Sequence, residues 1–367
     1  MNDEILADLL EHARWAPSGD NTQPWRFQIL APDHIVVHGH DTREDILYDF
    51  HGHPSHLAHG ALLETLRIAA TRHQLLAIWQ RRPESSETRP LYDVWLKRDE
   101  SLNPDPLHAS IKTRAVQRRP MSLQKLTASQ VERLAATLPE GWQVRFMSPF
   151  RERLWMARLS FLNAGIRLRC PEAYPVHKSI IEWRARFSED RIPEEAVGVD
   201  PMTARLMQWV MASWDRVSFF NRYLMGTLAP RIQLDLIPAI ACSAHVQLVA
   251  PTPLRDIDDH VAAGVAVQRF WLACEKEGLR LQPNMTPLIF SWYVGANEAF
   301  TRSPEEWRAA QALRAQLANR LGEDALQHTA FLARIGFSRP ARSRSLRLAL
   351  ARLMWSGKDA ETTHPEA

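Results

Sequence analysis

Apolar positions Ile5, Leu6, Leu9 and Leu10 recur at the three-and-four spacing of one helical face, which predicts a helix over residues 4–15. The run Pro17-Ser18-Gly19-Asp20-Asn21 must end it, because proline and glycine punctuate and asparagine and aspartate favour turns. Alternating and β-branched patterns then predict paired strands over 25–30 and 35–38, a helix over 57–76 and a strand over 91–96. A loop at Asn103-Pro104-Asp105-Pro106 marks a boundary, followed by a basic turn over 114–119 and a helix over 127–138. Residues 150–235 read as mostly helical and rich in aromatic side chains, among them Trp183, Trp209, Trp214, Phe219 and Tyr223. Strand-like sequence returns over 239–249, with helices over 257–277 and 304–321 and a polar tail after 342.

One segment echoes another. The helix-like run from Gly60 and the run from Gly264 place a glycine, a polar residue (Glu64 or Gln268) and apolar residues at matching offsets. Each follows strand-like sequence. Two amphipathic helices can resemble one another by chance, so the echo alone leaves a duplication open.

Composition narrows the class. A chain of 367 residues with 45% hydrophobic and 24% charged residues is globular, with room for two domains or paired halves. A net charge of +3 gives no global reason to expect nucleic acid. Cys170, Cys242 and Cys274 are too scattered for a disulfide framework or a metal motif, and read as buried free thiols. The acidic start, Met1-Asn2-Asp3-Glu4, lacks a signal-peptide layout, and the most apolar stretch, 236–250, is too short and polar to span a bilayer. A cytoplasmic protein with no membrane partner is the expectation. Seven histidines lie between His34 and His59, and a solvated or partner-facing patch is preferred there to a metal site, since no carboxylate or cysteine stands at a recognised motif spacing. No Gly-x-Gly-x-x-Gly, P-loop or Gly-x-Ser-x-Gly motif occurs.

The most informative stretch is Ala16-Pro17-Ser18-Gly19-Asp20-Asn21-Thr22-Gln23-Pro24-Trp25-Arg26-Phe27. Two prolines fix its ends, Gly19 permits an unusual turn, and Ser18, Asn21 and Gln23 offer hydrogen bonds that suit a flat heteroaromatic ring. Trp25 is expected to anchor it in the core. These twelve residues resemble the signature loop of the nitroreductase-like flavoenzymes, whose members hold FMN at a subunit interface. The resemblance implies flavin contacts for Pro17, Ser18 and Asn21, with Gln23 and Trp25 shaping the pocket.

In that family a basic motif precedes the loop; here only acidic and apolar residues do. A fitting motif comes later, at Thr113-Arg114-Ala115-Val116-Gln117-Arg118-Arg119-Pro120, which resembles the family's Arg-x-Ser-x-Arg opening. By the resemblance, Arg114, Gln117 and Arg118 belong to the phosphate grip, for which forked guanidinium donors are suited. The run Glu277-Gly278-Leu279 to Pro283-Asn284-Met285 is similar to the family's helix end and proline-led loop, which implies ring contacts for Pro283, Asn284 and Met285. Gly336-Phe337 with Arg342 and Arg344 resembles the segment that completes phosphate binding. A solvated basic turn and tail remain the plain alternatives for these arginines.

The resemblance is to the fused, tandem form of the family, such as the Acg-type and molybdopterin-gene-associated proteins. It implies an α+β fold with two pseudo-repeated halves, each a mixed, mostly antiparallel sheet flanked by helices. The halves are expected over 1–105 and 106–355, with a helical aromatic insertion over about 172–235, a flexible tail over 356–367 and one FMN site per chain. NADH or NADPH would pass hydride through flavin N5 to a nitroarene, quinone or enone, the flavin carrying the chemistry without a protein acid or base. A flavin-sequestering protein without turnover, its site closed by the insertion, is the alternative. Partners reduce to a small-molecule substrate, with the chain a monomeric pseudo-dimer or a homodimer.

Overall fold

A computed structural model describes residues 3–223 and 226–357. The tail expected over 356–367 falls, beyond residue 357, outside the described residues. Two four-stranded sheets carry the architecture, and both are antiparallel throughout. The first contains β1 (Trp25–Ala31), β2 (His34–Gly39), β3 (Leu75–Arg81) and β4 (Leu91–Arg98), in the order β1-β2-β4-β3. The second contains β5 (Gln143–Met147), β6 (Ala244–Val249), β7 (Leu279–Pro283) and β8 (Thr329–Phe337), in the order β5-β6-β8-β7.

The same spatial order in both sheets is the structural form of the repeat. In each, a long helix joins the second strand to the third: His53–Ala70 in one and Ile257–Lys276 in the other. Helix start and third-strand start are displaced alike between the halves, 257 against 53 and 279 against 75. The halves differ in their connections. A tight turn at Pro32–Asp33 links β1 to β2, whereas β5 and β6 are separated by a helical excursion that includes Phe150–Arg169, Tyr174–Ile180, Pro201–Val210 and Trp214–Tyr223.

Some local expectations change. Residues 75–76 do not close a helix; Gln74 turns the chain with φ 53°, and β3 begins at Leu75. Its outward positions, Leu76 and Ile78, are themselves apolar, so the period of two is hidden in the sequence. Residues 237–240 form a helical turn before β6 starts at Ala244. Strands β5, β7 and β8 and the helix Thr286–Gly295 have no counterpart in the periodicity reading; β8 is buried along nearly its whole length, so it shows no alternation.

The two long helices cross at their glycines. A Cβ at Gly60 would lie 1.9 Å from the carbonyl oxygen of Val261, and one at Gly264 would lie 2.0 Å from that of Leu57. These contacts are reciprocal, as a pseudo-two-fold axis between the halves requires. One helical turn further on, buried Glu64 pairs with Arg269 at 2.8 Å, and Gln268 donates to Thr65 at 2.8 Å. The echo seen in the sequence is thus the seam between the halves.

Part of the histidine-rich region, His53, His56 and His59, lies at this seam rather than in solvent, while His51 is exposed. His56 and His59 are buried, and His53 stacks on His260 with ring centroids 3.8 Å apart. Among the described residues no three histidine, cysteine or acidic side chains are disposed to hold a metal ion. Burial, helped by neighbouring histidines, pushes His53 and His56 down to about 2. Burial lowers His59 to about 4. The three cysteines are buried free thiols.

Two predictions come from this seam. Replacing Gly60 or Gly264 with alanine should destabilise the chain by about 3 kcal/mol or more, against the gain of about 1 kcal/mol that helix propensity gives elsewhere; urea unfolding of each variant measures it. Below about pH 6.5 the unfolded chain protonates these histidines while the folded chain does not. Stability should therefore fall continuously from pH 7 towards pH 4, by about 1.4 kcal/mol per pH unit for each such histidine. The pH dependence of the urea midpoint checks this, and His56→Gln should flatten it.

Candidate cofactor and substrate site

The recognised loop is held in a strained form by its own bonds. Gln23 N donates to Ser18 Oγ at 2.9 Å, and Thr22 N to the Gly19 carbonyl at 2.9 Å. The left-handed backbone is taken by three non-glycine residues, Asp20 (φ 47°), Asn21 (φ 67°) and Gln23 (φ 50°), and not by Gly19. Such conformations persist only where surroundings over-determine them, and they cluster at functional sites. Trp25 is fully buried beneath the loop, and Gln23, also fully buried, acts as a clasp: its carbonyl accepts from Leu348 N at 2.9 Å and its amide donates to the Glu189 carbonyl at 2.9 Å. Asn21 donates to the same Glu189 carbonyl at 3.0 Å.

Against this loop stand arginines from two distant segments. The chain's C-terminal stretch returns to the first sheet, where Trp355 N donates to the Phe27 carbonyl at 2.7 Å and Trp355 stacks on His38. Arg344 and Arg347 are carried there with it. A cavity results, lined by Pro17, Ser18, Asp20 and Asn21, by Arg114, Arg118, Arg344 and Arg347, and by Trp271. Within the described residues none of these four arginines makes an ion pair. Their bonds go to backbone carbonyls: Arg114 to Trp15 at 2.7 Å, Arg118 to Ala196 at 3.3 Å, Arg344 to Lys112 at 2.9 Å and Arg347 to Ala16 at 3.0 Å. The Arg114 guanidinium also lies over Trp271, 4.6 Å from the ring centroid.

Charge here is concentrated and poorly solvated. Burial, with Arg344 close by, lowers Arg114 to about 9, and burial lowers Arg118, Arg344 and Arg347 as well. Buried Nε atoms of Arg114 and Arg344 have no hydrogen-bond partner. Buried cations that outnumber the nearby carboxyls are costly, and a multiply charged anion with several acceptor oxygens would satisfy both the charge and the open donors.

A second, larger cavity adjoins the first, sharing Asp20, Arg118 and Ile192. The helical excursion supplies most of its apolar wall, with Tyr174, Met207, Met211, Trp214 and Val217. Its polar features are the Arg167–Asp235 pair at 2.9 Å and His177, hydrogen-bonded to Tyr48 at 2.7 Å.

Pro17, Ser18, Asn21, Arg114, Arg118 and Arg344 therefore come together on one cavity. Others lie away from its wall. Gln117 clips the C-terminal strand through Ser338 at 3.1 Å, and the Arg342 carbonyl accepts from Arg186 at 3.1 Å. Pro283 sits in the ladder opposite Ala333, Asn284 donates to Ser160 at 3.1 Å, and Met285 packs against the core; Gln282, one residue earlier, reaches the larger cavity. Sequence reasoning missed Arg347, which follows Arg344 by three in the same arginine-serine run, and Asp20, which stands inside the recognised loop. Ile192, Ala196 and Trp271 carry no sequence signal.

Residues 1–54 match the model of the Nitroreductase family. An uncharacterized Mycobacterium tuberculosis protein, MT1398 of strain CDC 1551 / Oshkosh, is 25% identical over 308 residues, 82% of this chain and 41% of that protein. The chain thus spans about two fifths of the length of that curated relative. Among solved structures, a nitroreductase-like family protein from Bacillus cereus is 12% identical, covers 69% of this chain and 96% of its own, and superposes with a TM-score of 0.34. A nitroreductase with bound FMN from Desulfitobacterium hafniense DCB-2 is 10% identical, covering 71% and 99%, with a TM-score of 0.35. The FMN and NADPH-dependent nitroreductase NfnB from sphigopyxis sp. strain HMH is 16% identical, covering 69% and 100%, with a TM-score of 0.36. The similarity to the Nitroreductase family covers residues 1–54, and the chain is an α+β protein of two pseudo-repeated halves. Among its described residues no helix is long and apolar enough to cross a membrane.

The arginine cradle predicts an anion site measurable without any cofactor. Inorganic phosphate should raise the melting temperature of flavin-free protein, by an amount equivalent to about 2.7 kcal/mol at a hundred times its dissociation constant. Differential scanning fluorimetry reads this, and Arg344→Gln should weaken the phosphate response at least tenfold.

Proposed function

We propose that the chain is an FMN-dependent NAD(P)H oxidoreductase that reduces an electrophilic small molecule of the nitroarene, quinone or enone type. The observation that carries this reading is the convergence, on one cavity, of the signature loop and four arginines that make no ion pair among the described residues. The unsatisfied Nε atoms of Arg114 and Arg344 fit a phosphate monoester. In this reading Arg114, Arg118, Arg344 and Arg347 hold the phosphate, and Pro17, Ser18 and Asn21 face the ring. When bound, FMN supplies hydride acceptance from the nicotinamide and hydride delivery to the substrate. The protein's residues position both partners and exclude water: the helical excursion walls the larger cavity with Met207, Met211 and Trp214. The two halves divide at 1–105 and 106–355 and share a single site.

A second reading, a flavin-sequestering protein without turnover, is favoured by one feature. The amides of Asn21 and Gln23 tie the loop to the Glu189 carbonyl of the excursion, which closes that edge of the site. Absorption spectroscopy distinguishes these. The purified protein, reconstituted with FMN, should be yellow at one flavin per chain and should bleach with NADPH or NADH under anaerobic conditions. A yellow protein that stays oxidised supports sequestration, and a colourless one that refuses FMN sinks both. Arg114→Gln should weaken FMN binding by about 1.5–3 kcal/mol, about ten- to a hundredfold, as read by fluorescence quenching.

A further inference from the structure

Among the described residues, Asp20 lines three adjoining cavities. They are the arginine cavity, the apolar cavity beneath the helical excursion, and a third, smaller chamber. The third chamber is walled by Thr22, Thr42, Tyr48, Asp49 and Ser55, and the Asp49 carboxylate accepts from the Thr42 hydroxyl at 2.9 Å and the Ser55 hydroxyl at 2.7 Å. The Asp20 backbone is fixed in the left-handed region inside the loop, and no hydrogen bond engages its carboxyl among the described residues. Arg118 and Arg167 are the cations that act on it, and Tyr48 is the neighbouring phenol; Arg167 is already paired with Asp235, and Tyr48 with His177.

Resting on the flavin reading above, we propose that Asp20 is the catalytic acid that protonates the reduced substrate, resupplied with protons through the Thr42–Asp49–Ser55 chamber. Hydride transfer to a quinone or enone delivers two electrons with one hydrogen and leaves an oxyanion. The acceptor gains its hydride from the reduced flavin of that reaction and its proton from Asp20. The carboxyl O–H bond breaks, a new O–H bond forms on the substrate oxygen, and the Asp20 carboxylate remains, facing Arg118 and Arg167. Desolvation pushes the Asp20 carboxyl above its ordinary range, which keeps the acid form available. A hydroxyl or amide at this position could not yield a proton at comparable pH.

Two measurements test this, one of them independent of flavin. The infrared difference spectrum of flavin-free wild type minus Asp20→Asn should show a protonated-carboxyl band that persists above about pH 5. Asparagine tolerates the left-handed backbone, so this variant keeps the loop. In the flavin-loaded protein, Asp20→Asn should lower the quinone rate at least tenfold more than the ferricyanide rate, because ferricyanide takes electrons without a proton. The fall of the quinone rate at high pH should disappear in Asp20→Asn and return, shifted, in Asp20→Glu. An ionised Asp20 throughout the pH range, or an unchanged quinone-to-ferricyanide ratio in a yellow and active Asp20→Asn protein, overturns the acid role alone. A protein that takes up no FMN overturns the flavin reading and this role with it.

Discussion

The close crossing of His53–Ala70 and Ile257–Lys276 at Gly60 and Gly264 governs the rest of the molecule. With backbone touching backbone there, each helix replaces the other's solvent, and side chains that would otherwise be exposed become core. Glu64 and Gln268 become buried polar groups with partners across the seam, and the histidines of both helices are desolvated together. Trp271, on the second helix, is carried to the wall of the arginine cavity, so the seam and the site share one element.

The candidate site draws its parts from both ends of the chain. The loop with three left-handed non-glycine residues comes from the first half, and the arginines from segments at 114–118 and 344–347. The expansion between β5 and β6, at the place of a two-residue turn in the first half, supplies the apolar wall on the same side. One site therefore accumulates a cradle, a loop and a cover. Its electrostatics are unbalanced towards cation, a state that favours an anionic ligand over an empty fold.

Much of this was legible beforehand, and for identifiable reasons. Within Pro17 to Trp25 the bonds from Gln23 N to Ser18 and from Thr22 N to Gly19 are local, so its sequence carries the turn itself, while the clasp to Glu189 and Leu348 is not local. Arg114, Arg118 and Arg344 announced themselves as a motif of charge. Strand β3 was obscured because its outward face is also apolar, and β8 because it is buried on both faces. The offset of Pro283–Met285 from the cavity wall, with Gln282 there instead, reflects the register of β7 against β8, a non-local pairing.

By itself the sequence determined the loop, the glycine echo and the concentration of arginine, all properties of neighbouring residues, and the α+β class only through the loop's resemblance to a family. Only the tertiary structure decided that the echo is a contact, that Arg347 joins the cradle while Arg342 does not, and that His56 and His59 are buried while His51 stays exposed. It also decided that Asp20 lines three adjoining cavities. The physical reason is that burial and convergence depend on segments hundreds of residues apart, and no local pattern encodes which of them will meet.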